Sequence, residues 1–296
     1  MKRVDLDIES KTVALQGGAL WGHAYKELVN DHYDGYIING VEMKMRVQEL
    51  QWKDVVARRF TWSPSSDAET MLTFMETMNT FYTTDWPDRI TIDSSWLCNS
   101  SRKGPNPQSG SLTTTMGELA KQLKRRSMEE KSTRFLHETL VTQWSEKTTK
   151  AFPSNPSYSI YTSFVSENKE SKIREITAII RDEMCAFREL FDGEQGLLQV
   201  TWIHSGGQAS RKRSDASAFR WRDCVYHAYI MIQWQEKWLK RDMREFLQRF
   251  NEALRKYSMA GRAAFINFPD EALVSEAHEM AYFGHNRLEL RGIKKI

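Results

Sequence analysis

The chain has 296 residues, enough to bury a substantial core in one large domain or two modest ones. Hydrophobic residues make up 40% and charged residues 27%, and 42 basic against 39 acidic side chains leave a formal net charge of +3. So even a balance lacks the electrostatic footprint of a nucleic-acid binder or of a protein held on an acidic membrane surface. Cys98, Cys185 and Cys224 are odd in number and have no metal-ligand spacing, which argues against a disulfide framework and a structural zinc site. The opening MKRVDLDIESKTVAL has no apolar signal-peptide core, and no apolar run reaches bilayer length. The expectation is a cytoplasmic protein with no membrane and no nucleic-acid partner.

The first part of the chain alternates strand-like and turn-like residues. VDLDIESKTVALQGGALWG and YDGYIING carry the turn formers Gly17-Gly18 and Asn39-Gly40, and EMKMRVQEL and VVARRFTW read as two further strands. A helix follows: Ser66 with Glu69 makes a capping-box pattern, and Met71, Phe74, Met75, Met78 and Tyr82 share one face, which is core packing. The segment SRKGPNPQSGSLTTT, residues 101–115, is dominated by Pro, Gly and Ser and reads as an exposed, mobile loop. The basic run KQLKRRS after it reads as a solvated helix face. RFLHETLVTQW and YSIYTSFVS have strand character.

Ile173, Ile176, Ile180, Met184, Phe187 and Phe191 mark one face of a long helix that ends near Gly193. LLQVTWIH is a strand running into a turn at Gly206-Gly207, and VYHAYIMIQW is another. Met243, Phe246, Leu247, Phe250 and Leu254 line the next helix. This order predicts an α+β fold, a mixed or antiparallel sheet with helices on one face.

Chemistry concentrates on VYHAYIMIQW. Strand alternation puts His227, Tyr229, Met231 and Gln233 on one face, polar and aromatic, and Tyr226, Ala228, Ile230, Ile232 and Trp234 on the other, apolar. His227 and Tyr229 are candidate catalytic groups because both exchange protons or donate hydrogen bonds; Gln233 can only orient a phenol or a water. His204, at a strand end beside a glycine turn, and Arg220 and Arg222 in FRWR read as structural.

Three blocks resemble the berberine bridge family of FAD-linked oxidoreductases. LQGGALWGHAYKEL with DGYIING is similar to the family's flavin domain, and IHSGGQASRKRSDASAFRWRDCVYHAYIMIQWQEKW to its substrate domain. AAFINFPDEAL followed by AYFGHNRLELRGIKKI resembles its C-terminal signature, an Asn-aromatic-x-Asp element and then an aromatic-aromatic-Gly-x-Asn element. The resemblance implies a remnant of a flavin domain over residues 1–45, a substrate domain over 46–255 and a berberine-like segment over 256–296 that packs back on the remnant. It implies oxidation of a natural-product-like small molecule in secondary metabolism. It places Gln233 at the substrate and Asn267, Tyr282 and Asn286 at the flavin.

Two departures modify that expectation. Gly40 runs straight into VEMKMRVQEL, where the family has a long glycine-rich section, and the later glycines are scattered and form no phosphate loop. A shortened family member is therefore expected, with FAD bound weakly or not at all. In AFINF both aromatic positions are phenylalanine, Phe265 and Phe268, where the family often has a tyrosine base. The alternative is a flavin-free cyclase, isomerase or small-molecule-binding protein using the same pocket.

Overall fold

The computed structural model describes residues 3–7, 9, 12–15, 36–39, 45–49, 57–61, 68–86, 91–100, 111–113, 129–130, 158–167, 169–205, 210–224, 226–268, 270, 272–273 and 275–293. The chain divides into two compact units, Met1–Ala57 with Thr133–Asn155, and Arg58–Ser132 with Pro156–Ile296. The glycine pairs at 17–18 and 206–207, Gly40, Ser66, and the segments RFLHETLVTQW and KQLKRRS lie outside the described residues.

In the first unit, β1 (Val4–Asp7), β2 (Thr12–Leu15), β3 (Tyr36–Asn39) and β4 (Met45–Glu49) form a sheet in the order β1-β2-β4-β3. Each pairing is antiparallel. The strand character of VDLD, TVAL, YIIN and MRVQE was thus legible from their β-branched and apolar content.

The second unit holds a seven-stranded sheet in the order β8-β5-β7-β6-β10-β11-β9. Its strands are β5 (Ala57–Thr61), β6 (Thr91–Asn99), β7 (Ser111–Thr113), β8 (Glu129–Glu130), β9 (Tyr158–Ser166), β10 (Gly196–His204) and β11 (Tyr226–Trp234). β10 pairs antiparallel with both β6 and β11, and β11 with β9. The helices are α1 (Ala68–Thr83), α2 (Glu170–Leu190), α3 (Lys240–Arg255), α4 (Ser275–Phe283) and α5 (Arg287–Ile293).

Strand β6 was not anticipated. TIDSSWLCN forms β6 beside β10 because Ser94, Trp96 and Cys98 fall on one face, although the polar run Asp-Ser-Ser conceals the alternation. The loop expected over 101–115 needs correction as well. Ser111–Thr113 is a strand, with Thr113 opposite Thr91 and Leu112 opposite Ile92, so β6 supplies backbone partners that composition does not reveal. The rest of that loop lies outside the described residues.

Helices α1, α2 and α3 bury their apolar faces against one side of the sheet. Phe74 and Met78 of α1, Ile176, Ile180 and Phe187 of α2, and Met243 and Phe250 of α3 join Trp96, Val200, Trp202, Ile230 and Ile232 in one core. Each such side chain, fully buried, contributes about 1.5–3 kcal/mol through transfer from water. Some polar groups inside this core are paired: Tyr82 Oη meets Ser94 Oγ at 2.8 Å, and the Trp96 indole donates to Tyr82 Oη at 2.9 Å, whereas Trp202 Nε1, Tyr226 Oη and Trp234 Nε1 have no hydrogen-bond partner among the described residues. Thr177 of α2 donates to Asn79 Oδ1 of α1 at 2.6 Å. The apolar face assigned to β11 is the core face, and the helices lie on that one side, as an α+β reading requires.

The segment after α3 closes the edge of the sheet at β9. Ser166 bridges to Ser258, and the Val165 amide donates to Ala263 O at 3.0 Å. Asp270 anchors the next stretch. Its Oδ2 accepts from Thr162 Oγ1 at 2.8 Å and Asn251 Nδ2 at 2.9 Å, and its Oδ1 from the Ala272 amide at 2.9 Å. The carboxylate is only 4% exposed, and Arg255 stands 3.6 Å from it. A buried charge persists only when it is paired and hydrogen-bonded in this way.

Candidate functional site

The face of the sheet opposite the helices is built by the same alternation. Cross-strand partners put Ser95, Thr201, Tyr229 and Ser163 in one row across β6, β10, β11 and β9. The next row is Leu97, Gln199, Met231 and Tyr161, and the one after it Asn99, Leu197, Gln233 and Ser159. In the other direction Ile203, His227 and Val165 align.

Polar side chains on this face form a relay. Ser95 Oγ lies 2.8 Å from Thr201 Oγ1, and Gln199 Nε2 donates to Thr201 Oγ1 at 2.9 Å and to Tyr229 Oη at 3.2 Å. Gln199, Thr201, Tyr229, His227 and Gln233 are all at least nine-tenths buried. Gln233 Oε1 is buried with no hydrogen-bond partner among the described residues. A buried amide oxygen without a donor costs about 1–3 kcal/mol, so this position is poised for a ligand's donor.

Phe265 and Phe268 cover part of the same face. Phe268 stacks on Tyr229, with ring centroids 4.0 Å apart and planes at 21°, and Phe265 meets the His227 ring at 4.3 Å. Ser163 holds the segment: its Oγ accepts from the Phe265 amide at 2.9 Å and lies 3.0 Å from the carbonyls of Phe265 and Phe268. Aromatic walls over a polar floor suit a ligand with a flat apolar body and one or two polar groups.

His227 is held from behind. Its Nδ1 is hydrogen-bonded to Ser205 Oγ. Burial, helped by nearby His204, pulls the His227 pKa down to about 4, so the ring is neutral at pH 7. Burial pushes the Cys224 thiol up to about 12, which makes it an inert protonated donor.

The six residues singled out from the sequence do not form one cluster. His227 and Tyr229 are neighbours on β11, about 7 Å apart along the strand. Gln233 sits six residues from His227, about 20 Å at 3.3 Å per residue, so only an extended ligand touches both. Asn267 is exposed. Tyr282 Oη accepts the Asp270 amide at 2.9 Å, bracing the anchor described above. Asn286 Nδ2 donates to Ser214 O at 2.6 Å and Ser217 O at 2.9 Å, pinning the loop before β11 to the C-terminal helices. Trp221 Nε1 adds a bond to Ala281 O at 2.9 Å.

A flavin's fit to these three is tested by what their atoms already do. Tyr282 and Asn286 are engaged within the chain, and none of the three carries a buried polar atom lacking a partner. In this structure Tyr282 and Asn286 brace the C-terminal segment. Among the described residues no three His, Cys, Asp or Glu side chains gather as a metal site, and no helix is long and apolar enough to cross a membrane.

Sequence reasoning missed Gln199, Thr201, Ser95 and Ser205, and it met Asp270 only as one letter of the C-terminal motif. Gln199 and Thr201 lie on the polar face of LLQVTWIH, and alternation alone could have found them. A cleft of about 210 Å³ beside β9 and α3 is lined by Tyr161, Arg244, Gln248, Asn251 and Asp270. Its polar groups are largely committed, Gln248 to Glu252 at 3.0 Å and Asn251 to Asp270 at 2.9 Å. The sheet face, with its unpartnered Gln233 oxygen, is the better candidate.

No protein-family model matches the chain, and no curated protein matches it in sequence. Solved structures do match in fold. A chitooligosaccharide oxidase superposes with a TM-score of 0.70 over 99% of this chain and 77% of its own, at 13% identity. A single-residue variant of berberine bridge enzyme, described as a reticuline dehydrogenase, gives 0.66 over 97% and 75%, at 13% identity. A glucooligosaccharide oxidase from Acremonium strictum, whose structure reveals a novel flavinylation, gives 0.65 over 99% and 76%, at 12% identity. The chain therefore has the fold of the berberine bridge-like and oligosaccharide oxidases, as its sequence blocks implied.

Proposed function

We propose that this chain is a member of the berberine bridge family of FAD-linked oxidoreductases, and that it holds a small organic molecule of natural-product type on the polar face of the seven-stranded sheet. One observation carries the reading: the buried relay Ser95–Thr201–Gln199–Tyr229 under the rings of Phe265 and Phe268, in a fold shared with oxidases. Polar groups on the helix side of a sheet are dictated by the core. Here they lie on the opposite side, and Gln233 Oε1 remains without a donor among the described residues.

The residues divide the work by type. Phe265 and Phe268 confine an apolar ring and exclude water. Tyr229 Oη accepts from Gln199 and carries a proton of its own. Phenylalanine exchanges no proton, so proton handling on this face falls to Tyr229 and His227. Gln233 orients the far end of an extended ligand. In this reading FAD is the electron acceptor.

A second reading, a flavin-free cyclase, isomerase or binding protein, is favoured by Tyr282 and Asn286, whose side chains are engaged within the chain. It is favoured too by phenylalanine at both aromatic positions of FINF. Titration with FAD, followed by quenching of flavin fluorescence, separates the two. Submicromolar, stoichiometric binding supports the oxidoreductase. No quenching at a large excess of FAD supports the flavin-free pocket.

A further inference from the structure

The pair Ser205–His227 lies behind the ligand face and ends on a residue of that face. Ser205 Oγ is hydrogen-bonded to His227 Nδ1. The lone pair of a neutral imidazole nitrogen is a stronger acceptor than a hydroxyl oxygen, so the Ser205 proton goes to Nδ1.

The consequence falls on the other ring nitrogen. A neutral imidazole that accepts at Nδ1 carries its proton at Nε2. Among the described residues no hydrogen bond reaches Nε2, and the side chain keeps 8% exposure. Phe265, packed on the ring at 4.3 Å, fixes its plane. Rotation is blocked on one side by the ring contact and on the other by the Ser205 bond.

Resting on the proposed ligand face, we infer that His227 serves as a fixed hydrogen-bond donor, through Nε2–H, to a carbonyl or phenolate oxygen of the bound molecule, and that Ser205 is the positioning residue that sets this tautomer. The role differs from that of a general base. A donor aimed at oxygen stabilises an enolate or phenolate as charge develops there, in the manner of an oxyanion site. Tyr229, at the next position of β11 on the same face, brings a hydroxyl towards the same molecule.

Long-range 1H–15N NMR of the 15N-labelled full chain reads the tautomer directly, with 4-nitrophenol as the probe ligand. The expected spectrum shows His227 neutral at pH 7 with the proton on Nε2, and 4-nitrophenol shifts that nitrogen. Ser205→Ala leaves the chain folded but mixes the tautomers, and weakens 4-nitrophenol binding about tenfold, the worth of one hydrogen bond. A proton on Nδ1, an imidazolium, or an Nε2–H that 4-nitrophenol leaves unmoved would overturn the inference. FAD is absent from this experiment, so its result stands apart from the flavin titration.

Discussion

Tyr229 and Phe268 stack ring on ring, 4.0 Å between centroids, and thereby join the middle of β11 to a segment nearly forty residues further along the chain. The contact makes the C-terminal FINF segment a wall of the ligand face. Removing only the hydroxyl, Tyr229→Phe, keeps the stack and leaves Gln199 bonded to Thr201. Urea unfolding should then shift by no more than about 1 kcal/mol, whereas Tyr229→Ala should lose about 3 kcal/mol. Equal losses in the two variants would show that the hydroxyl, and not the ring, holds the segment.

Asp270 predicts a larger effect. Asp270→Ala strands the donors of Thr162 and Asn251 in a buried setting and should cost about 3 kcal/mol or more in unfolding free energy. Asp270→Asn keeps an acceptor oxygen and should cost less. Thermal denaturation ranks the three proteins, and an unchanged melting temperature in the alanine variant would remove the anchor from the account.

Gly284 has φ of +54°, and a Cβ there would stand 2.6 Å from Arg220 Cδ. Gly284→Ala should therefore destabilise by about 1–2 kcal/mol and loosen the 214–217 loop that Asn286 pins. Denaturant unfolding together with amide exchange of that loop reads both effects.

His227 also gives a pH dependence. Its pKa is lowered to about 4 in the folded chain from an ordinary 6.5, chiefly by burial. Between those values the unfolded chain binds more protons, so stability is complete above pH 6.5 and declines as pH falls towards 4. The loss from this residue approaches about 3 kcal/mol. His227→Gln should flatten that part of the stability profile between pH 6.5 and 4, measured by urea midpoints. A variant with the wild-type slope would place the acid sensitivity elsewhere.

How far the sequence carried these conclusions depends on the distance between partners. The faces of β11 were readable because alternation is local: Ile230 and Ile232 lie in the core, His227 and Tyr229 on the other side. The long helix ending near Gly193 was readable for the same reason, its face repeating within each turn. Asp270 was visible only as one letter of a motif, since Thr162 is 108 residues away. The bracing done by Asn286 reaches 72 residues back to Ser214 and leaves no trace in spacing. β6 escaped notice because Asp93, Ser94 and Ser95 interrupt its apolar pattern, and its place beside β10 is a tertiary fact.

The account rests on the polar sheet face as the place where a small molecule binds. A fragment screen of the labelled full chain, read by backbone and side-chain NMR shifts, tests this most directly. The predicted result is that aromatic fragments with a hydroxyl or carbonyl perturb His227, Tyr229 and Gln199 together, with longer ones reaching Gln233. Hits confined to the cleft of Arg244, Gln248 and Asp270, with the β11 face unmoved, would contradict it.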